Sequence, residues 1–178
     1  GIVESLRNAG GICGEINSGS VVEDCINDCE ITGLEQVGGI VGYAHSSYLN
    51  NCTNNGDIKA SQYTGGICGM EYGGNDGYQV LYCVNTGNIT SCFGYGGGIC
   101  GEIKVCVYVN YCYNTGDIFA ERYGGGIAGA GETSALYNCF TTGKVDGEFQ
   151  VGAVSGDYMG TIDECYYISG SARTRSDM

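Results

Sequence analysis

Residues Tyr95 to Gly101 read YGGGICG, and the fold follows from how often that stretch returns. Close copies begin at Gly10 (GGICG), Gly38 (GGIVG), Gly65 (GGICG), Gly125 (GGIAG) and Gly152 (GAVSG). Their aliphatic centres are Ile12, Ile40, Ile67, Ile99, Ile127 and Val154, spaced 28, 27, 32, 28 and 27 residues apart. Self-similarity at such a period marks a stacked-repeat architecture.

A second landmark follows each copy: a cysteine at Cys25, Cys52, Cys83, Cys112, Cys139 and Cys165. Three residues before it stands an aliphatic (Val22, Leu49, Val80, Val109, Leu136, Ile162), and six residues after the first five stands another (Ile31, Ile58, Ile89, Ile118, Val145). Short β-branched or aliphatic segments bounded by Gly, Asn, Asp and Thr read as strands. No window keeps the i, i+3, i+4, i+7 stripe of a helix. Three such segments make one coil of an all-β, parallel β-solenoid, about six coils of roughly 27–28 residues in which equivalent residues form ladders. One coil cannot bury its apolar side, whereas a stack can. The solenoid is expected over residues 1–168, with 169–178 a polar tail or end cap. The long third interval places an insertion around Glu71 to Tyr78, leaving the coil as a loop.

Composition narrows the function. The 34 glycines follow the repeat and so mark corners and close approaches. A net charge of −13 removes the basic footprint that nucleic acid requires and opposes an anionic membrane surface. No apolar run approaches the roughly 18 residues of a membrane-spanning helix. The chain begins inside a repeat and stops soon after one, and is expected to be a fragment of a larger protein.

The twelve cysteines allow three readings. Six share one ladder position, and Cys13, Cys68 and Cys100 share another, which favours packed thiols. Disulfides among the off-ladder Cys29, Cys92 and Cys106 are the second reading, and metal binding the third. With no CxxC and His45 as the single histidine, neither a metal site nor a cofactor is expected. Catalysis has little to draw on. His45 is alone, and the paired acids Glu23-Asp24 and Asp163-Glu164 fall on turn or strand positions where solvent suffices. Glu30, Asp57, Asn88, Asp117 and Lys144 form a ladder of mostly acidic groups, which must face water or enclose a cation such as calcium; water is the expected answer, since no D-x-D-x-D-G loop is present.

The candidate binding row lies four residues before the aliphatic centre: Gln36, Tyr63, Tyr95, Tyr123 and Gln150. Among the outward ladders it alone reads as aromatic in the middle and amide at both ends. Tyrosine offers an apolar face and a polar tip, suited to sugar rings or a protein edge, and the competing role is shielding of the corner by cross-strand packing. The insertion at Tyr72 and Tyr78 is placed to wall one side of the row.

At Cys112 the sequence reads YCYNTGDI and runs on to GGGIAG; at Cys139 it reads NCFTTGKV and runs on to VGAVSG. These units resemble the GLUG-motif repeat family over all six units, about residues 10–168. Ile or Val replaces the family's usual Leu, and Cys29 stands for the glycine of the T-G step in the second unit. The resemblance implies an extracellular module of a bacterial cell-surface or secreted protein. A non-catalytic structural and adhesive role is expected, with a host or matrix glycan or glycoprotein as partner. The alternatives are an accessory stalk domain of a secreted peptidase and a polysaccharide-processing β-helix enzyme.

Overall fold

The computed structural model of the chain describes residues 1–74 and 77–174. It is all-β: parallel strands stack as a β-solenoid of about six turns, with no helix among the described residues. One coil, followed from Val41, passes through Val41–His45, Tyr48–Asn50, Thr53–Asn54, Ile58–Ala60 and Gln62–Gly65. The first two strands belong to one sheet, Thr53–Asn54 to a short second sheet, and the last two to a third. Each coil is thus three-sided, as the three expected segments imply, but two of the sides are broken in the middle. In some coils the halves fuse, as in Glu30–Gly38 and Ala128–Tyr137.

Register is kept from coil to coil. Cys68 pairs with Val41 on one side and with Cys100 on the other, and Val80 pairs with Leu49 and Val109. The backbone of the repeated motif forms its own column: Ile40 N–H donates to Ile67 C=O at 3.0 Å, Ile67 to Ile99 at 2.9 Å, and Ile99 to Ile127 at 2.9 Å. Parallel in-register pairing explains the fixed period, because a one-residue slip would turn every inward side chain outward.

The inward columns hold the expected residues. Ile40, Ile67, Ile99 and Ile127 are fully buried, as are Leu49, Val80, Val109 and Leu136. They share one core with the ladder cysteines. The aliphatics six residues after the cysteine form a second, smaller core inside the bend of the third sheet, with Ile31, Ile58, Ile89, Ile118 and Val145 as its column. In the terminal coils, where one neighbour is missing, the equivalent Ile12 and Ile162 are 43% and 45% exposed.

Two details are added to the expected outline. Part of the segment expected as a tail or end cap after residue 168 joins the stack. Ala172–Thr174 forms a strand, and Ala172 pairs with Val145, so the third sheet gains one more rung; residues 175–178 lie outside the described residues. The insertion is confined between Tyr72 and Tyr78, since Cys68–Tyr72 and Tyr78–Leu81 remain in register with both neighbouring coils. Its residues 75 and 76 lie outside the described residues. Gly73 N–H donates to Lys104 C=O at 2.8 Å, and the Tyr78 ring meets Tyr48. The insertion therefore sits at the bend of the first sheet, directly after Tyr72, whose coil-to-coil partner is Lys104.

Candidate functional site

The row Gln36, Tyr63, Tyr95, Tyr123 and Gln150 is assembled as one outward column just before the tight glycine corner. Tyr95 pairs directly with Tyr123, and Tyr123 with Gln150. The Tyr63 and Tyr95 rings stack at 5.2 Å and 4°, and the Tyr95 and Tyr123 rings at 4.7 Å and 11°. The last glycine of each motif makes this possible: a Cβ on Gly101 would stand 2.6 Å from the Thr64 nitrogen and 2.7 Å from the Tyr63 carbonyl carbon. At one end Gln36 Nε2 donates to Met70 Sδ at 3.6 Å, and near the other Arg122 lies 5.8 Å over the Tyr123 ring. Parallel stacking covers ring face with ring face. Ring edges, hydroxyl tips and the amides are what the row offers to solvent.

Beside Tyr95 runs a shallow groove of about 140 Å³ with Ala130 and Gly131 as its floor. Glu102, Lys104, Glu132, Asp157 and Met159 complete its lining. Two adjacent outward columns of the first sheet supply them: Glu102, Ala130 and Asp157 in one, Lys104, Glu132 and Met159 in the other. Glu102 is only 5% exposed. Its Oε1 meets Lys104 Nζ at 3.0 Å, while Oε2 is buried with no hydrogen-bond partner. Burial pushes the Glu102 carboxyl up against the opposing pull of Lys104. Burial also works against the Lys104 charge, but the bond to Glu102 prevails and raises it. The Tyr63 and Tyr95 phenols are raised by burial first and then by Glu102, so row and groove share one electrostatic environment.

The other constellations resolve into structure. In the Glu30, Asp57, Asn88, Asp117 and Lys144 ladder each middle side chain accepts a backbone amide of the next coil: Asp57 Oδ1 from Asn88 N–H at 2.8 Å, Asn88 Oδ1 from Asp117 N–H at 3.1 Å, and Asp117 Oδ1 from Lys144 N–H at 2.9 Å. Among the described residues no three His, Cys, Asp or Glu side chains converge on a metal position. His45 packs its ring on Tyr72 at 5.4 Å, and Asp24 accepts from Asn51 Nδ2 at 2.6 Å. The ladder thiols point inward and donate to the carbonyl two residues back, as Cys83 does to Leu81 at 3.2 Å. Cys29, Cys92 and Cys106 fall on different coils, each at a different place along its coil.

Three features escaped the sequence reading. An asparagine ladder runs through the interior: Asn27 Nδ2 donates to Asn54 Oδ1, Asn54 to Asn85 and Asn85 to Asn114, each at 2.7 Å. Its signal was an Asn two residues after the ladder cysteine in four coils. In the first four motifs the glycine just before the isoleucine packs on it, and a Cβ on Gly66 would stand 2.3 Å from Asn85 Cγ. A second aromatic surface flanks the cysteines, with Tyr82 stacked on Tyr111 and Tyr113 on Phe140, both at 5.3 Å. The Tyr82 column reads Asn51, Tyr82, Tyr111, Asn138, so the row at Tyr63 is not alone in setting tyrosines between amides. Asp24, Asn51, Tyr82, Tyr111, Asn138 and Glu164 all adopt positive φ, between 49° and 54°. The sharp turn before the cysteine is thus held even by residues for which that conformation is strained. Third, Glu71 is fully buried between Ala44 and Ile103. Burial pushes its carboxyl up to about 8.

Comparison with family models, with curated proteins and with solved structures finds no match for this chain.

Proposed function

We propose that this chain is a non-catalytic structural and adhesive repeat module of a bacterial cell-surface or secreted protein, which holds a glycan or glycoprotein along the row Gln36, Tyr63, Tyr95, Tyr123 and Gln150. The observation that carries the reading is the row itself: three tyrosines on successive coils, spaced 5.2 and 4.7 Å and bounded by amides, beside a groove that contains an ion pair. Repeated, evenly spaced groups along a rigid stack suit an extended polymer. The surface and bacterial setting rests on the GLUG-like motifs. Single contacts of this kind are modest, on the order of 1 kcal/mol per aromatic, so affinity is expected from several copies acting together.

The test is a glycan array probed with multimerised protein, run beside an assay for released reducing sugar on the same glycans. Binding without release is expected. Release of sugar would move the chain to the polysaccharide-processing class, and a blank array would remove the adhesive part of the reading.

A further inference from the structure

We infer that the groove beside Tyr95 is a subsite for a protonated amino sugar, in which the ammonium group of a glucosamine-type unit is held by Glu102 and Asp157. The inference rests on the reading of this module as a glycan binder and names the sugar chemistry it selects. Three carboxylates, from Glu102, Glu132 and Asp157, line the groove against one ammonium, and that ammonium is already engaged by Glu102. Glu102 is nearly inaccessible, yet one of its oxygens has no donor. A buried acceptor without a partner is costly and marks a position where a bound donor is favoured.

The outward column narrows the ligand. Glu102 and Asp157 stand on either side of Ala130. Two strand spacings put their backbones roughly 9–10 Å apart, and the small side chain between them leaves the gap a sugar ring enters. Tyr95 on one side and Met159 on the other supply apolar walls. An acidic sugar meets repulsion here, in a chain of net charge −13. A neutral sugar leaves the excess carboxylate charge uncompensated, and N-acetylation removes the cation. A bare divalent ion lacks a cage, because no three ligating side chains converge among the described residues.

The experiment is calorimetric titration at low salt and mildly acidic pH with four probes: a β-1,4-glucosamine hexasaccharide, its fully N-acetylated form, cellohexaose and pentalysine. The glucosamine hexamer is expected to bind about tenfold more tightly than the N-acetylated one. Asp157→Asn and Glu102→Gln should each weaken it by about fivefold or more, and Glu4→Gln, an equal charge change at an exposed position away from the groove, by less than about twofold. Asp157 is exposed, so its variant keeps the fold even if Glu102→Gln does not. Equal losses in all three variants would reduce the effect to general attraction by an acidic protein and overturn the subsite. Tighter binding of pentalysine than of the glucosamine hexamer would assign the groove to a basic peptide instead. If cellohexaose binds and glucosamine gains nothing, the tyrosine row stands as a glycan site and the groove inference falls. If glucosamine binds through Glu102 and Asp157 while the neutral hexamers do not, the groove stands and the tyrosine row falls as a glycan site of its own. If none of the three sugars binds, both fall.

Discussion

The Glu71 carboxylate lies 3.9 Å from the Cys68 thiol, inside the stack and between the apolar rungs Ala44 and Ile103. A backbone N–H from Ser47 supports the same carboxylate, but one of its oxygens has no partner. An acid in such surroundings keeps its proton, and its value of about 8 lies above the unfolded value near 4.5. Between those two values the folded chain holds a proton that the unfolded chain has released. Stability therefore falls as pH rises through that window, by about 3–5 kcal/mol from bottom to top. Glu71→Gln keeps the shape without the titration. Urea unfolding at pH 5 and at pH 8 should show the wild type losing ground to the variant only at the higher pH. A constant difference between the two would contradict the assignment.

The asparagine ladder makes a second prediction. Asn85 accepts from Asn54 and donates to Asn114 and to the Gly87 carbonyl, all in the interior. Asn85→Ala leaves several of these groups unpaired at about 1–3 kcal/mol each. A loss of about 3–6 kcal/mol is expected from chemical denaturation, larger than for Asn55→Ala, whose side chain bonds at the exposed surface. Equal losses would mean that the ladder contributes no more than a surface pair.

Position in the stack should set the cost of trimming the repeated isoleucine. Ile99 is fully buried with a coil on either side, whereas Ile12 is 43% exposed. Ile99→Ala is expected to lose about 2–5 kcal/mol and Ile12→Ala less than half of that, read from denaturation midpoints. A reversed order would contradict the column assignment.

Thiol chemistry checks the interior from another side. Cys68, Cys100 and Cys112 are pushed up first by burial, which disfavours the reactive thiolate. In register, ladder cysteines point the same way and approach the torsion of a disulfide poorly. Ellman's reagent should therefore titrate most of the twelve cysteines in denaturant without reductant, but few and slowly in the folded protein. A count near zero in denaturant would make the chain a disulfide-stapled rod.

The coil was legible because its signal is a repeat: Ile40, Ile67, Ile99 and Ile127 fall where the period of the glycine motif puts them, and a register error would have exposed them all. The site was legible only in part. Counting back from the isoleucine found Tyr63, Tyr95 and Tyr123, since these share a ladder. Glu102, Lys104 and Asp157 belong to columns whose other members differ from coil to coil, so only the stacking brings them beside Tyr95. Glu71 was hidden for a related reason. Its column reads Ile16, Ala44, Glu71, Ile103, Gly131 and Tyr158, and a single acid among apolar residues looks like a surface position until the rung is seen from inside. The insertion was located correctly in the chain, because the strands on either side of it, Cys68–Tyr72 and Tyr78–Leu81, keep the period of the repeat.

As proposed above, the tyrosine row is a binding surface carried by the stack rather than part of what holds the stack together. The most direct measurement compares the wild type with the triple variant Tyr63→Ser, Tyr95→Ser, Tyr123→Ser by thermal melting and on the glycan array. The side chains lie outside both cores, and cross-strand aromatic pairs contribute only about 0.2–1 kcal/mol each. A melting temperature lowered by only a few degrees is expected, together with loss of glycan binding. Retained binding, or a collapsed melt in a protein whose wild type binds no glycan, would contradict it and leave the row as structural stacking alone.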